Sequence, residues 1–245
     1  MTTIEFDPSW RTADGMFGGY VIARLLQAGM IVEGFWPLSI SAQFLGGVLP
    51  GGCEVRADVV HRGALTAVVQ LDLVQEHRRA TAVVKLGRGS PDRIIDQREQ
   101  AFPRAGPEGL PRLALPYGPF PYEQHLETRL VPDPRVRQCE RTSGWVRMSS
   151  ATAVDLELAA ACVLLDTLPP GLFFADPAPS FVPTVDFTAH FAPAVEWSAR
   201  DWVFLVQDTR WSTRDFCAEE ASLYTPDGVL IAQARQARRV RWPDK

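Results

Sequence analysis

A chain of 245 residues that is 46% hydrophobic and 22% charged is long enough to bury a substantial core, as one large domain or two small ones. Its formal net charge of -4 and pI near 5.6 leave no basic footprint, and the arginines near the C-terminus are interleaved with apolar residues, which argues against nucleic acid as a partner. No apolar run reaches the roughly 18 residues of a membrane span, and MTTIEFDPSW lacks the basic-then-hydrophobic order of a signal segment, so the expectation is a cytoplasmic protein with no membrane partner.

Cys53, Cys139, Cys162 and Cys217 lie far apart, with no CxxC pair and no His at metal-ligand spacing. They read as free, buried thiols, and neither a metal nor another cofactor is expected. After an irregular lead-in over Trp10 to Phe17, the run GGYVIARLLQAGMIVEG places Val21, Leu25, Ala28 and Val32 at helical spacing. This predicts a buried helix, stopped by Pro37. Alternation then predicts strands at Ser39 to Leu45, Cys53 to Arg62, Leu65 to Glu76 and Ala80 to Arg88, with a loop at Gly46 to Gly52 and a polar turn at His77 to Arg79.

Between Ser90 and Arg141 prolines recur and break regular structure, so the segment reads as a linker. Its aromatics Phe102, Tyr117, Phe120 and Tyr122 imply that it packs across the surface. WVRMS (Trp145 to Ser149) follows as a short strand. TAVDLELAAACVLLDTL places Val154, Leu158, Ala161 and Leu165 at helical spacing and predicts a second buried helix, ended by Pro169 and Pro170. Asp155 and Glu157 near its start suit the helix dipole. The segment PTVDFTAHF (Pro183 to Phe191) then sets Val185, Phe187, Ala189 and Phe191 on one face of a strand and Asp186, Thr188 and His190 on the other. Strands at Trp202 to Thr209, Phe216 to Tyr224 and Val229 to Trp242 close the chain, the last two joined by a Pro-Asp-Gly hairpin turn.

The order helix, strand, loop and three-strand meander therefore occurs twice. Phe44 corresponds to Phe191 and Arg62 to Thr209 at one common offset, and GGVLPGG stands where APAVEWS stands in the second copy. The predicted fold is α+β: two repeats, each a long buried helix wrapped by an antiparallel sheet, at residues 1–90 and 142–245, with a proline-rich linker at 91–141.

With these residues in order, the chain resembles the acyl-CoA thioesterase II family, the TesB-like double-hotdog thioesterases. The resemblance rests on FGG at Phe17 to Gly19, FL followed by a PG loop at Phe44 to Gly51, RG at Arg62 and Gly63, the Asp186 strand, and DGVLIAQARQ at Asp227 to Gln236. It implies hydrolysis of a fatty acyl-CoA or acyl-carrier-protein thioester by a water held between an Asp, a Ser or Thr, and a Gln. Asp186 matches the Asp and Gln236 the Gln. Thr209 matches the hydroxyl with a one-residue register shift, since strict alignment backwards from Gln236 lands on Arg210. The family's glutamate after the Gln is replaced by Ala237.

The residues themselves support part of this chemistry. Thioester hydrolysis needs a base, a polar group that positions water, and donors for the oxygen that becomes negative. Asp186 fits the base, Thr209 and Gln236 fit the water-positioning groups, and the amides of Gly18 and Gly19 at a helix start fit the oxyanion donors. Structural readings stand beside each: an arginine partner from the C-terminal strand for Asp186, an ordinary strand position for Thr209, a solvated strand end for Gln236, and close helix packing for the two glycines. His190 reads as structural, although a His beside a strand Asp is also the equipment of a hotdog dehydratase. Two further functions remain open: an acyl-thioester-binding protein without hydrolysis, and a biosynthetic hotdog enzyme that dehydrates or releases a carrier-bound intermediate. Exposed sheet edges and faces predict a homodimer or higher homo-oligomer.

Overall fold

The computed structural model describes residues 2–90, 106–114, 119–132, 137–149, 157–192 and 195–243. The first copy comprises α1 (Gly18–Gly29), β2 (Trp36–Phe44), β3 (Gly51–Arg62), β4 (Thr66–Gln75) and β5 (His77–Gly87), preceded by β1 (Thr2–Phe6). The second comprises α2 (Ala160–Leu165), β8 (Thr184–Phe191), β9 (Val203–Ser212), β10 (Phe216–Tyr224) and β11 (Leu230–Arg239), preceded by β6 (Leu126–Leu130) and β7 (Arg141–Met148). The two copies share one antiparallel sheet of 11 strands, in the order β1-β3-β4-β5-β2-β8-β11-β10-β9-β7-β6.

The join is made by β2 and β8, where Ser41 lies opposite Thr188 and their hydroxyls are 3.0 Å apart. These two residues are 147 positions apart, the same separation as Phe44 and Phe191, so equivalent residues of the two copies meet at the centre. A pseudo-two-fold axis therefore passes through this pair. Both helices lie on the concave face of the sheet and pack against each other. Tyr20, Val21, Ile22, Leu25 and Leu26 of α1, and every residue of α2, are buried. Glycine at position 19 permits this contact. A Cβ there would sit 2.8 Å from the Cys162 carbonyl oxygen and 3.0 Å from the Val163 Cα, against backbone that cannot give way.

Several expected boundaries move. The first helix ends at Gly29 rather than near Gly34, because Gly29 and the β-branched Ile31 and Val32 are weak helix formers; Pro37 lies inside β2. His77, Arg78 and Arg79 belong to β5, and the reversal is confined to Glu76, whose φ is 46°. The proline-rich stretch contains the edge strand β6. Its Tyr122 ring stacks on Phe17 at 4.4 Å, so that part of it packs on the surface as expected; Phe102 and Tyr117 lie outside the described residues. Of the second helix, residues 151–156, including Asp155, lie outside the described residues. Cys53, Cys162 and Cys217 are buried and Cys139 half-buried, all unpaired. Burial raises the thiol of Cys53 to about 11 and that of Cys217 to about 12, as expected of core cysteines. Among the described residues, no helix is long and apolar enough to cross a membrane.

Two tests of this packing follow. Gly19→Ala should lower stability by about 1–3 kcal/mol through backbone overpacking, read as a lower denaturant midpoint. His125 stacks on Trp10 at 4.2 Å, and its Nε2 is 2.8 Å from the Ser9 hydroxyl. Burial lowers its pKa, against a smaller upward pull from Asp7. The unfolded chain therefore takes the proton more readily. The stability that this histidine contributes is full above the unfolded value near 6.5 and is lost as pH falls from there toward the lowered folded value. Melting scans taken from about pH 7.5 down to about 5.5 should show a falling midpoint, and His125→Gln should flatten that slope.

Candidate active site

Along β11 the alternation LIAQARQARR turns Ala232, Ala234, Gln236 and Arg238 inward and Gln233, Arg235 and Arg239 outward. A guanidinium therefore enters the core. Arg238 is 5% exposed, and each of its three nitrogens has a partner. Nε donates to Glu219 Oε2 at 2.7 Å, Nη2 to Asp166 Oδ1 at 2.8 Å, and Nη1 to the Thr184 hydroxyl at 2.9 Å. Asp166 follows the last residue of α2, and its second oxygen accepts the Gly19 N–H at 2.8 Å. Glu219, on β10, accepts the Gly171 N–H at 2.9 Å through its other oxygen. Burial alone would lower the arginine pKa, but the two carboxylates outweigh it and the net direction is upward.

The expected residues divide around this cluster. On the inner face, Gln236 lies opposite Glu219, which lies opposite Thr209. The three form one row across β11, β10 and β9. A bulge between Ala218 and Glu219 skips Arg210, and this irregularity brings Thr209, not Arg210, into the row. The Thr209 hydroxyl is 3.4 Å from Glu219 Oε1. Gln236 is 1% exposed. Its Oε1 accepts from the Thr184 hydroxyl at 3.2 Å, while its Nε2 is buried without a partner among the described residues.

Asp186 does not join them. It lies opposite Ala237 on β11 and Gln43 on β2, whereas Gln236 lies opposite Phe187. Cross-strand partners share a face, so Asp186 and Gln236 occupy opposite faces of the sheet. The register shifts between Ala237 and Arg238, whose partners are Asp186 and Thr184, leaving Val185 as the extra residue of a bulge. Asp186 Oδ1 accepts the Ala237 N–H at 2.9 Å at this irregularity. His190, on the same strand, is exposed.

Beside the arginine cluster is a cleft of about 940 Å³. Its walls include Gly18, Thr184, Asp166 and Arg238, together with aromatic residues such as Phe44 and Phe181. The two glycines therefore differ. Gly18 lines the cleft, and a Cβ on it would approach Asp166 Oδ2 to 3.0 Å. The Gly19 amide is spent on Asp166, and its Cα is pressed against α2. The arrangement can receive a long, largely apolar ligand and meet one part of it with an amide, a hydroxyl and a buried ion cluster. Sequence reasoning missed Thr184, Asp166 and Glu219. Asp166 stands just before Pro169 and Pro170, where it resembles an ordinary helix end, and Glu219 stands in an alternating CAEEAS run that resembles a solvated strand. Among the described residues, no group of His, Cys, Asp and Glu is arranged to hold a metal ion.

Comparison with known proteins agrees with this architecture. Residues 6–87 match the family described as acyl-CoA thioesterase N-terminal domain, and residues 98–240 match the acyl-CoA thioesterase C-terminal domain. No curated protein matches. Among solved structures, a hot dog-fold protein of unknown function from Alicyclobacillus acidocaldarius is 21% identical with a TM-score of 0.83, covering 99% of this chain and 93% of its own. An acyl-CoA thioesterase II from Mycobacterium marinum is 17% identical with a TM-score of 0.78, over 99% and 93%. The dehydratase domain of RzxB from Pseudomonas fluorescens is more distant, at 11% identity and a TM-score of 0.60, over 96% and 92%. At these identities the structures speak to the fold alone, whereas the two family matches together span both hotdogs: the chain belongs to the acyl-CoA thioesterase family, the TesB-like double-hotdog hydrolases.

Proposed function

We propose that this chain hydrolyses acyl-CoA or acyl-carrier-protein thioesters, with the acyl chain lying along the apolar wall of the cleft and the thioester near Gly18 and Thr184. The observation that carries this reading is the cleft itself. It is large enough for a long chain, aromatic along much of its wall, and polar where the start of α1 meets the Asp166–Arg238 pair. In the reaction, water attacks the carbonyl carbon, the C–S bond breaks, and the proton removed from water passes to the departing sulfur. The products are a carboxylic acid and a free thiol. The Gly18 amide, at the positive end of α1, suits the oxygen that gains charge in the transition state.

Family correspondence nominates Asp186, Thr209 and Gln236 to hold and activate the water. Gln236 is supported by an Nε2 group that is buried with no partner among the described residues, the condition of a donor awaiting a ligand or water. Thr209 is supported by its place in the same row. For the base, Asp186 is the family's position, and Asp166 is a buried carboxylate that lines the cleft. A second reading, an acyl-thioester-binding protein without hydrolysis, is favoured by the placement of Asp186 on the face opposite Gln236. With either reading goes a homodimer or larger homo-oligomer, because the chain exposes Val83 and Val185 and leaves β1 and β6 as open edges.

The test is thiol release from short, medium and long acyl-CoAs. The wild-type protein is expected to release thiol, and Gln236→Leu to lose about two orders of magnitude in kcat, the scale of a lost oriented donor. Asp186→Asn keeps an oxygen for the Ala237 amide and so should keep the fold. A drop of about 100-fold or more in that variant identifies Asp186 as the base. Full activity there, with a comparable loss in Asp166→Asn at unchanged melting temperature, moves the base to the cleft carboxylate. Binding of acyl-CoA with no thiol release from any chain length overturns hydrolysis in favour of the binding reading.

A further inference from the structure

Arg238, Arg239 and Arg241 all border the cleft, Arg238 from the inner face of β11 and Arg239 from the exposed side at the strand's end, and they have different fates. Arg238 is buried and neutralised by Asp166 and Glu219. Arg241 is half-exposed: its Nη1 donates to Asp14 Oδ2 at 2.8 Å, and its guanidinium lies 5.5 Å from the centre of the Phe181 ring. Arg239 is exposed on the rim. Its backbone is held by the Pro183 carbonyl, and its side chain makes no ion pair or hydrogen bond among the described residues. The mouth of the cleft thus carries Arg239 and Arg241 against Asp14, a local positive charge on a chain whose net charge is -4.

We infer that Arg239, assisted by Arg241, is the phosphate-binding element of this cleft, holding a phosphate of the phosphopantetheine carrier to which the acyl group is esterified. The inference rests on the proposed reading of the cleft as a thioester site. Its geometric basis is that Gly18 of α1, Thr184 of β8 and, at the exposed end of β11, Arg239 all border one cleft. Gly18 at the inner end of the cleft supplies the proposed donor to the carbonyl, and the carrier arm leaves toward the exposed end, where the Arg239 guanidinium is unpaired among the described residues. Guanidinium is suited to phosphate because its fork of N–H donors matches two oxygens at once. The Arg241–Asp14 pair is half-exposed on both sides, so releasing it to join a phosphate costs little. The backbone anchor on Pro183 fixes where the Arg239 side chain starts, which limits the ordering cost when a ligand arrives.

The experiment compares Arg239→Gln with the wild type on one acyl chain presented as the CoA thioester, as a carrier-protein thioester and as the N-acetylcysteamine thioester, which has no phosphate. The expected result is a KM for acyl-CoA raised about fivefold, the scale of one exposed charge-assisted contact. The kcat should be nearly unchanged, and the KM for the N-acetylcysteamine thioester should stay put. The wild-type KM for acyl-CoA should also climb with ionic strength more steeply than that of the variant. A rise confined to acyl-CoA assigns the contact to the adenosine-linked phosphate or the 3′-phosphate, which the carrier protein lacks; a rise with both acyl-CoA and the carrier protein assigns it to the phosphate next to pantetheine, which the two share. A rise with the carrier protein alone overturns the inference, because acyl-CoA carries that phosphate too. An equal change on all three substrates, or no change on either phosphate-bearing one, overturns the inference. Should the wild type hydrolyse none of them, the hydrolase reading fails while the rim remains testable. Calorimetry with free CoA then decides: weaker binding by Arg239→Gln supports the phosphate contact, and equal binding removes it.

Discussion

The interaction on which this structure depends is the one between Arg238 and its two carboxylates. Taking charges out of water is expensive, and attraction between them repays that cost only when the remaining hydrogen-bonding capacity is also met. Here two carboxylates face one guanidinium, leaving an excess negative charge in the interior. It is compensated by dipoles. The Gly19 and Gly171 amides each donate to a carboxylate oxygen, and the Thr209 hydroxyl approaches Glu219. Losing the arginine would strand uncompensated buried carboxylates, which costs about 3–5 kcal/mol, whereas losing one carboxylate leaves a balanced pair. The cluster is consequently a clamp. Through it the start of α1, the end of α2, the turn at Gly171, and strands β8, β10 and β11 are fixed with respect to one another, and the start of α1, the residues after α2, β8 and β11 contribute to the walls of the cleft.

The clamp also gives chemical asymmetry to a symmetric frame. The sheet is built about the Ser41–Thr188 pair, and on backbone grounds the two halves are near equivalents. The buried ion cluster belongs to the second half, with Gly19 of α1 as the first half's contribution. One half therefore supplies the polar network, and the other supplies a helix whose Gly19 amide donates to it. The glycines at that helix start divide the labour. Position 19 is given to packing and to Asp166, and position 18 lines the cleft. A helix with side chains at both positions could not come close enough to α2 to make the arrangement.

Much of the fold was legible because it is periodic. Two buried helices, four strands in each copy and a common offset between copies are all carried by alternation and helical spacing, which are local. What escaped had no local signature. The TTIEF strand is short and takes its place from pairing with β3, and β6 is an edge strand inside a proline-rich stretch. The tight reversal at Glu76 uses a residue with no turn propensity to announce it. At the site, the inward position of Gln236 was legible from parity along β11; Arg238 shares that parity, but in the sequence it stands only among the arginines that could pair with Asp186. The faces of Thr209 and Thr184 were not legible in this way, because bulges at Arg210 and Val185 shift parity partway along β9 and β8, and a bulge is a property of two strands together. Asp166 and Glu219 acquire their partner from residues 72 and 19 positions away, a distance over which spacing in the sequence carries no information.

The bulge in β8 gives Asp186 a physical role that does not require it to touch the reacting atoms. At the bulge the Asp186 carboxylate takes the Ala237 N–H. The extra residue, Val185, turns Thr184 inward, opposite Arg238, where its hydroxyl bridges the guanidinium and the Gln236 amide. A carboxylate on the outer face thus helps to set the position of a hydroxyl on the inner one. This connects the family's acidic position to the cleft through the backbone. On this geometry a change at Asp186 acts first on the register of β8 against β11, and through that register on Thr184 and Gln236. The strand carboxylate and the buried cluster are then two supports of one polar wall, one holding it through the main chain and the other through charge.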